Sequence, residues 1–456
     1  MGGEQQHEPW DTPAASGPVR AQVTVPGSKS ITNRALILAA LASGPTRIIR
    51  PLRARDTGLM MGAIAALGAT VAIGSESGRD GDYDLLVTPG WRDGPAAVDV
   101  GNAGTVIRFV PPAAALARGD VAFRGDERAS QRPVGPLLAA LAQLGAELTD
   151  DGRAAVPFTV HGRGQVPGGT VALDASGSSQ LVSGLLLAAP RYGKGAEIRH
   201  EGPPVPSAPH IAMTVAMLRA AGADVEARAG GRARAGGRGA TESGQHHVSD
   251  AWRVHPGELA PGVIAVEPDL SNAAPFLAAA MVTGGEVTIA GWPAASLQAV
   301  GPILDTLTAM GAAVTLVPGG LRVSGTGTIT GITASLAEIG ELTPVLVALA
   351  ALADGPSEFT GVGHIRTHET DRLAALAGEI GALGGTVTER PDGLRIEPRP
   401  LRAGGTVFDS HDDHRLVMAA AVLGLAVPGV RVHNAETVGK TFPRFGGEWQ
   451  RMLERP

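Results

Sequence analysis

The stretch PGSKSITNRALILAALASG (residues 26–44) places Lys29, Ser30 and Arg34 at the head of a long apolar run. Lys29 is one of three lysines in a chain that otherwise uses 35 arginines. A second lysine, Lys440, stands in VGKTFPRF, where another helix should begin. Lysine offers a compact point charge and an amine that can exchange a proton once its pKa is lowered, which a guanidinium cannot do. Other apolar runs open on similarly chemical residues. These are Asn102, Gly104, Thr105 and Arg108; Ser178, Ser179 and Gln180; Asp269, Ser271 and Asn272; Glu341 and Thr343; and Asp413, His414 and Arg415. Two more polar helix entrances, ASQRPVG and THETDRL, carry Arg132 and then His368, Glu369 and Arg372.

Capping accounts for Ser30, Thr105, Ser271 and Asp413, since short polar side chains satisfy free amides at a helix start. It does not account for the cations, which oppose the helix dipole by a few tenths of a kcal/mol to ~1 kcal/mol each. An anion bound between cation and helix start offsets that cost, because free N–H groups point to the same place. Several such starts converging would make a polyanion site, with Glu341 and Glu369 among its residues. PGSKS lacks the glycine that precedes the lysine of a Walker loop, and no GxGxxG opens a βαβ unit. HETDRL has no second histidine for a zincin pair. SHDDHR, with His411 and His414, has the side chains for a divalent metal, but no metal and no other cofactor is expected.

The elements that must position these residues form an internal repeat. Six Ala/Leu-rich runs end at Gly44, Gly119, Gly193, Gly284, Gly355 and Gly429, and a second series of helix-to-strand junctions falls at Gly68, Gly145, Gly222, Gly311 and Gly384. The two series stay in phase. Glycine after a helix and β-branched stretches beyond it predict units of the order β-α-β-α-β-β. The spacing stretches once, at residues 227–250, a Gly/Arg-rich segment expected to be an exposed hairpin loop. The first helix of each unit is too apolar for a surface position, so its chemistry lies at its N-terminus.

With 456 residues, several domains are expected. A net charge of −6 and 3% aromatics argue against nucleic-acid or anionic-membrane partners. No cysteine is present, which excludes thiolate chemistry and fits a reducing compartment. No apolar run reaches the ~18 residues of a membrane span unbroken. A cytoplasmic protein with a disordered tail at residues 1–17 is the expectation.

The ordered motifs PGSKSITNRALILAALASG, GNAGTVIR, SGSSQ, HETDRL, DDHR and KTFP resemble those of the 3-phosphoshikimate 1-carboxyvinyltransferases (EPSP synthases), from about residue 18 to 452. The resemblance implies a two-domain inverse α/β barrel of six units (EPT/RTPC-like), with the active site in the cleft between domains. One domain would comprise residues 18–28 with 261–456, the other residues 29–260. It implies transfer of the enolpyruvyl group of phosphoenolpyruvate to the 5-hydroxyl of shikimate 3-phosphate, through a tetrahedral intermediate that loses phosphate. Shikimate 3-phosphate would meet Lys29, Ser30, Arg34, Ser178, Ser179, Gln180, Ser207, Glu341 and His368. Phosphoenolpyruvate would meet Lys29, Asn102, Gly104, Arg132, Gln180, Arg372, Arg415 and Lys440. Glu341 would take the hydroxyl proton and Glu369 protonate C3, with Lys29 and His414 as proton partners. A monomer acting on small molecules is implied.

The sequence departs from the family pattern at Glu341 for Asp, His368 for Lys, His364 for Asn and Phe109 for Pro. An anion beside His368 would raise its pKa, so affinity is expected to fall as pH rises past neutrality. The rivals are the enolpyruvyl transferase acting on UDP-N-acetylglucosamine, which typically uses a loop cysteine, and a non-catalytic anion-binding scaffold, which would need no carboxylates beside its cations.

Overall fold

The computed structural model describes residues 8–74, 83–228 and 251–454. Its α-helices are α1 (Lys29–Leu41), α2 (Arg55–Leu67), α3 (Gly104–Ala114), α4 (Gly135–Gln143), α5 (Ser179–Ala188), α6 (Pro209–Ala220), α7 (Leu270–Thr283), α8 (Val300–Ala309), α9 (Thr343–Ala351), α10 (Arg372–Ala382), α11 (His414–Ala426) and α12 (Phe445–Glu454). The odd-numbered helices are buried almost all round, as their unbroken apolar runs require. The even-numbered ones bury one face, as Trp449 and Met452 of α12 show.

Helices α3, α5, α9 and α11 each join two parallel strands of one sheet, α1 and α7 pass from a strand of one sheet to a strand of another, and α2, α4, α6, α8 and α10 each lead into a strand that pairs antiparallel. Parallel neighbours need such a crossover, whereas antiparallel ones close with a turn. Among the described residues, five sheets have four strands and one has three, and every one is open at both edges. The word barrel therefore describes sheets gathered around helices, with no hydrogen-bonded closure among the described residues. The buried apolar residues fall into two clusters: one runs from Ile31 to Val266, and the other gathers Val19, Val23 and Val25 with residues 270–452. Within the first, α1, α3 and α5 pack on one another; within the second, α7, α9 and α11 do.

Two units complete their sheets with a strand from the far side of the chain. Val263–Ala265 pairs parallel to Thr46–Ile49, and Arg20–Val23 pairs parallel to Glu286–Ala290. The two connecting segments lie side by side, with Ser28 N donating to Glu267 O at 2.8 Å and Asp269 N to Pro26 O at 2.9 Å.

The sixth unit differs from the expected order. After α12 it has no strands of its own, and Trp10–Asp11 pairs antiparallel to Arg431–His433 instead. The expected disordered tail is thus corrected for residues 8–17. Thr12 is buried and donates Oγ1 to Val430 O at 2.8 Å, and the Trp10 ring meets Phe445 edge-on at 6.2 Å. A unit lacking its closing strands leaves an edge open, and this segment occupies it. Residues 1–7 lie outside the described residues, as do 229–250 of the expected hairpin loop; the flanking strands Val225–Arg228 and Ala251–Val254 do pair antiparallel.

All five glycines of the second series have positive φ, from 92° to 116°. The first series is mixed: Gly284 closes α7 in the left-handed region with φ 68°, Gly119 lies inside the strand Arg118–Arg124, and Gly44, Gly193 and Gly355 are not left-handed. No described helix is long and apolar enough to cross a membrane.

Candidate active site

The N-termini of the odd helices converge where the two cores face each other. Local sequence sets the starts, though not always at the expected residue. Ser28, one position before Lys29, caps α1, Asp269 rather than Ser271 caps α7, and Ser178 and Asp413 cap α5 and α11. Thr105 instead receives the Asn33 Nδ2 bond at 2.6 Å, and no side chain caps α3.

One continuous network joins Asn102, Arg132, Lys440 and Arg372 of the expected phosphoenolpyruvate residues through Glu369, and Gln180 stands apart from it, paired with Arg108. Gln180 Oε1 accepts from Arg108 at 3.0 Å. Arg132 donates to Asn102 O at 2.8 Å and to Asn102 Oδ1 at 3.2 Å, and Lys440 Nζ reaches the same carbonyl at 3.3 Å. Lys440 also meets Glu369 Oε1 at 3.0 Å, and Glu369 Oε2 accepts from Arg372 at 2.9 Å. Arg372 continues to the buried Asp413 at 2.7 Å and to His368 Nδ1 at 3.0 Å. Gly104 lies against the Arg132 and Arg108 guanidinium groups.

A second group surrounds Glu341. Its Oε2 accepts from Arg415 at 2.6 Å, and it shares a small cavity of about 40 Å³ with Ser30, Ser207 and His210. Lys29 sits at the head of α1, its Nζ 3.3 Å from Asp56 and its backbone amide on Asp269 at 3.0 Å. Arg34 is not turned toward this cavity. Its guanidinium is buried among Thr214 Oγ1, Ser30 O, His210 O and Ser183 Oγ at 2.7, 2.9, 3.1 and 3.3 Å, over the Phe109 ring. Burial lowers its pKa to about 9.

The electrostatics follow from burial opposed by charge. Burial disfavours ionisation of Glu341, but Arg415, then His210 and Lys29, outweigh it and hold the carboxyl well below its ordinary range. Glu369 is likewise buried yet held well below its ordinary range by Lys440, Arg372 and Arg132. Both carboxylates are therefore ionised. Burial, reinforced by Arg372, pushes His368 well below 6.5, and burial with Arg415 does the same to His414. His368 is thus neutral here, and its Nδ1 accepts a hydrogen bond from Arg372. Arg108 and Arg132 each keep a buried Nε with no hydrogen-bond partner among the described residues, as do both His414 nitrogens, Nδ1 lying 3.6 Å from Asp413 Oδ1, and His364 Nε2. Spare donors of this kind suit anionic oxygens. No group of three or more metal-ligating side chains occurs among the described residues, and His411 instead pairs with Glu379 at 2.9 Å.

Sequence reasoning missed His210, Asp56 and Arg128. His210 follows Pro209 at the head of α6, and the signal that revealed Arg132 and Arg372, a cationic or titratable residue at an even-helix entrance, was present there too. Arg128 precedes Arg132 in a 3-10 turn, Glu127–Gln131, that no periodicity announces.

The two halves touch across this region: Ser207 N donates to Ala337 O at 2.7 Å, and Arg128 donates to Glu369 O at 3.1 Å and His368 O at 3.3 Å.

The sequence matches the EPSP synthase (3-phosphoshikimate 1-carboxyvinyltransferase) family over residues 13–449. A 3-phosphoshikimate 1-carboxyvinyltransferase from Kocuria rhizophila is 49% identical over 98% of this chain and 97% of its own. A solved EPSP synthase from Acinetobacter baumannii superposes with a TM-score of 0.75 at 24% identity, covering 98% of both chains. The enolpyruvyl transferase NikO from Streptomyces tendae superposes with a TM-score of 0.72 at 18% identity, covering 96% of each. The helix starts, their cations and the two clamped carboxylates thus occur on a shared architecture, and the chain belongs to the EPSP synthase family.

Proposed function

We propose that this enzyme transfers the enolpyruvyl group of phosphoenolpyruvate to the 5-hydroxyl of shikimate 3-phosphate, releasing phosphate. The observation that carries the reading is the pair of ionised, cation-clamped carboxylates, Glu341 and Glu369, at converging helix starts, in a chain 49% identical to a 3-phosphoshikimate 1-carboxyvinyltransferase. Glu341 is a base ready to accept the hydroxyl proton, with Arg415 orienting it. Ser30, Ser178, Ser179, Ser207, His210 and His368 bind the shikimate 3-phosphate, and Arg34 shapes that site by fixing α5 and α6 against α1.

Phosphoenolpyruvate meets Lys29, Gly104, Arg132, Gln180, Arg372, Arg415 and Lys440. Its carboxylate and phosphate compete with Glu369 for Lys440 and Arg372. They add negative charge as they withdraw cations, so the Glu369 pKa rises on binding and the group gains the proton it delivers to C3. Hydroxyl oxygen bonds to C2 as C3 is protonated; the resulting C3 methyl then returns a proton to the Glu369 carboxylate as the C2–O bond to phosphate breaks, which forms the enol ether and releases phosphate. Closed halves keep water from the intermediate. The reading is of a monomeric, cytoplasmic enzyme.

The test is phosphate release from phosphoenolpyruvate with shikimate 3-phosphate or UDP-N-acetylglucosamine as acceptor, in wild type and Glu341→Gln. Release with shikimate 3-phosphate alone, abolished in the variant, is expected. No release with shikimate 3-phosphate would sink the reading.

A further inference from the structure

The turn Glu127–Gln131 belongs to the first half, anchored by Ala129, which is buried in that core. From it Arg128 reaches across the cleft and places a fork on two successive backbone carbonyls of the second half, Nε on Glu369 O at 3.1 Å and Nη2 on His368 O at 3.3 Å. Its remaining nitrogen, Nη1, donates to Gln131 Oε1, which fixes the fork's plane.

The segment receiving the fork is held by its own half at its ends and side chains, and by Arg128 at its carbonyls. Residues 368–371 join the turn Gly363–Thr367 to α10 and are tied at their ends, His368 N donating to Ile365 O at 3.4 Å and Asp371 capping α10, whereas the His368 and Glu369 carbonyls between these ties are taken by Arg128. The Glu369 side chain is gripped by Lys440 and Arg372, both from its own half. Arg128 therefore links the backbone that carries this carboxylate to the opposite half. It lines a polar cavity of about 500 Å³ together with Asn102, Gln131, Glu369 and Lys440.

We infer that Arg128 is a positioning residue, a latch across the cleft that sets the Glu369 backbone only when the halves are together, so that C3 protonation is conditional on closure. This deepens the reading of Glu369 given above and rests on it. A fork on two carbonyls needs planar geometry as well as charge, which distinguishes a latch from a cation that merely attracts anions to the cavity.

The test uses the full-length enzyme with both substrates and reads phosphate release and deuterium incorporation at C3 of phosphoenolpyruvate in heavy water. Arg128→Ala should lower kcat and C3 exchange together by about tenfold or more, with little change in the phosphoenolpyruvate KM. Arg128→Lys should restore little of this, and added guanidinium ion should restore part of the alanine variant's rate. A rise in KM at unchanged kcat, or full activity in Arg128→Lys, would overturn the latch in favour of charge alone. A kcat loss that guanidinium does not relieve, accompanied by a lowered unfolding midpoint, would overturn it in favour of a structural role. An inactive wild type would instead count against the proposed function, which separates the two failures.

Discussion

Gly104 opens α3 with a backbone that alanine can adopt, so Gly104→Ala tests space and not strain. A Cβ there would lie 2.6 Å from Arg132 Nη2, 3.0 Å from Arg108 Nη1 and 3.1 Å from Arg132 Cζ. Ordinary contact requires the Arg132 guanidinium to retreat by roughly 1 Å. It cannot do so freely, because two bonds to Asn102, at 2.8 and 3.2 Å, hold it and the group is buried. Losing one charge-assisted bond costs about 1.5–3 kcal/mol, or roughly 10- to 150-fold in affinity at ~1.4 kcal/mol per tenfold. Steady-state kinetics should therefore show the phosphoenolpyruvate KM rising by about tenfold or more, with the shikimate 3-phosphate KM nearly constant. Glyphosate, an inhibitor expected in the same space, should weaken further still. An unmoved phosphoenolpyruvate KM, or equal shifts for both substrates, would refute the assignment of Arg132 to that anion.

Three further outcomes are expected. Arg34→Gln should reduce unfolding free energy by about 2–4 kcal/mol, because it strips donors from Thr214, Ser183 and the Ser30 and His210 carbonyls; a shikimate 3-phosphate KM change at unaltered stability would count against this. Burial, opposed by Glu341, lowers the pKa of both His210 and His364 to about 4. The unfolded chain takes up these protons near 6.5 and the folded chain only near 4, so stability should fall as pH drops through that window, on the order of 1–3 kcal/mol per histidine. Urea unfolding at pH 7.5 and 5 reads this, and His210→Gln should flatten the dependence; an identical slope in the variant would contradict the cause. Trp10→Ala should lower the unfolding free energy by about 1–2 kcal/mol through loss of the Phe445 contact, and an unchanged unfolding midpoint would show that the N-terminal strand contributes nothing.

What was legible in the sequence was whatever a local signal announces. The unbroken apolar runs gave the buried helices, and the five junction glycines gave helix ends that need positive φ. Cations placed against the helix dipole marked Lys29, Arg132, Arg372, Arg415 and Lys440, which the fold gathers at one cleft. Partners far apart in sequence were not legible. That Arg372 binds Asp413, that Arg34 is spent inside its own half, and that Trp10–Asp11 closes the sixth sheet are decided by tertiary packing. His368 shows the same limit in charge: its residue type suggested a titrating cation, and only its burial beside Arg372 makes it neutral.

The exchange of strands between the two halves also has a bearing on synthesis. Thr46–Ile49 finds its parallel neighbour at Val263–Ala265, and Arg20–Val23 finds its own at Glu286–Ala290. At ribosomal rates of ~5–20 residues per second, each early strand waits roughly 10–50 s for a partner that has not yet been made. During that interval a nascent chain presents unpaired strand edges, the surface from which intermolecular pairing starts. The same pairing across the chain that brings the two connecting segments together in the finished molecule makes its first half dependent on the ribosome reaching residues 263–265.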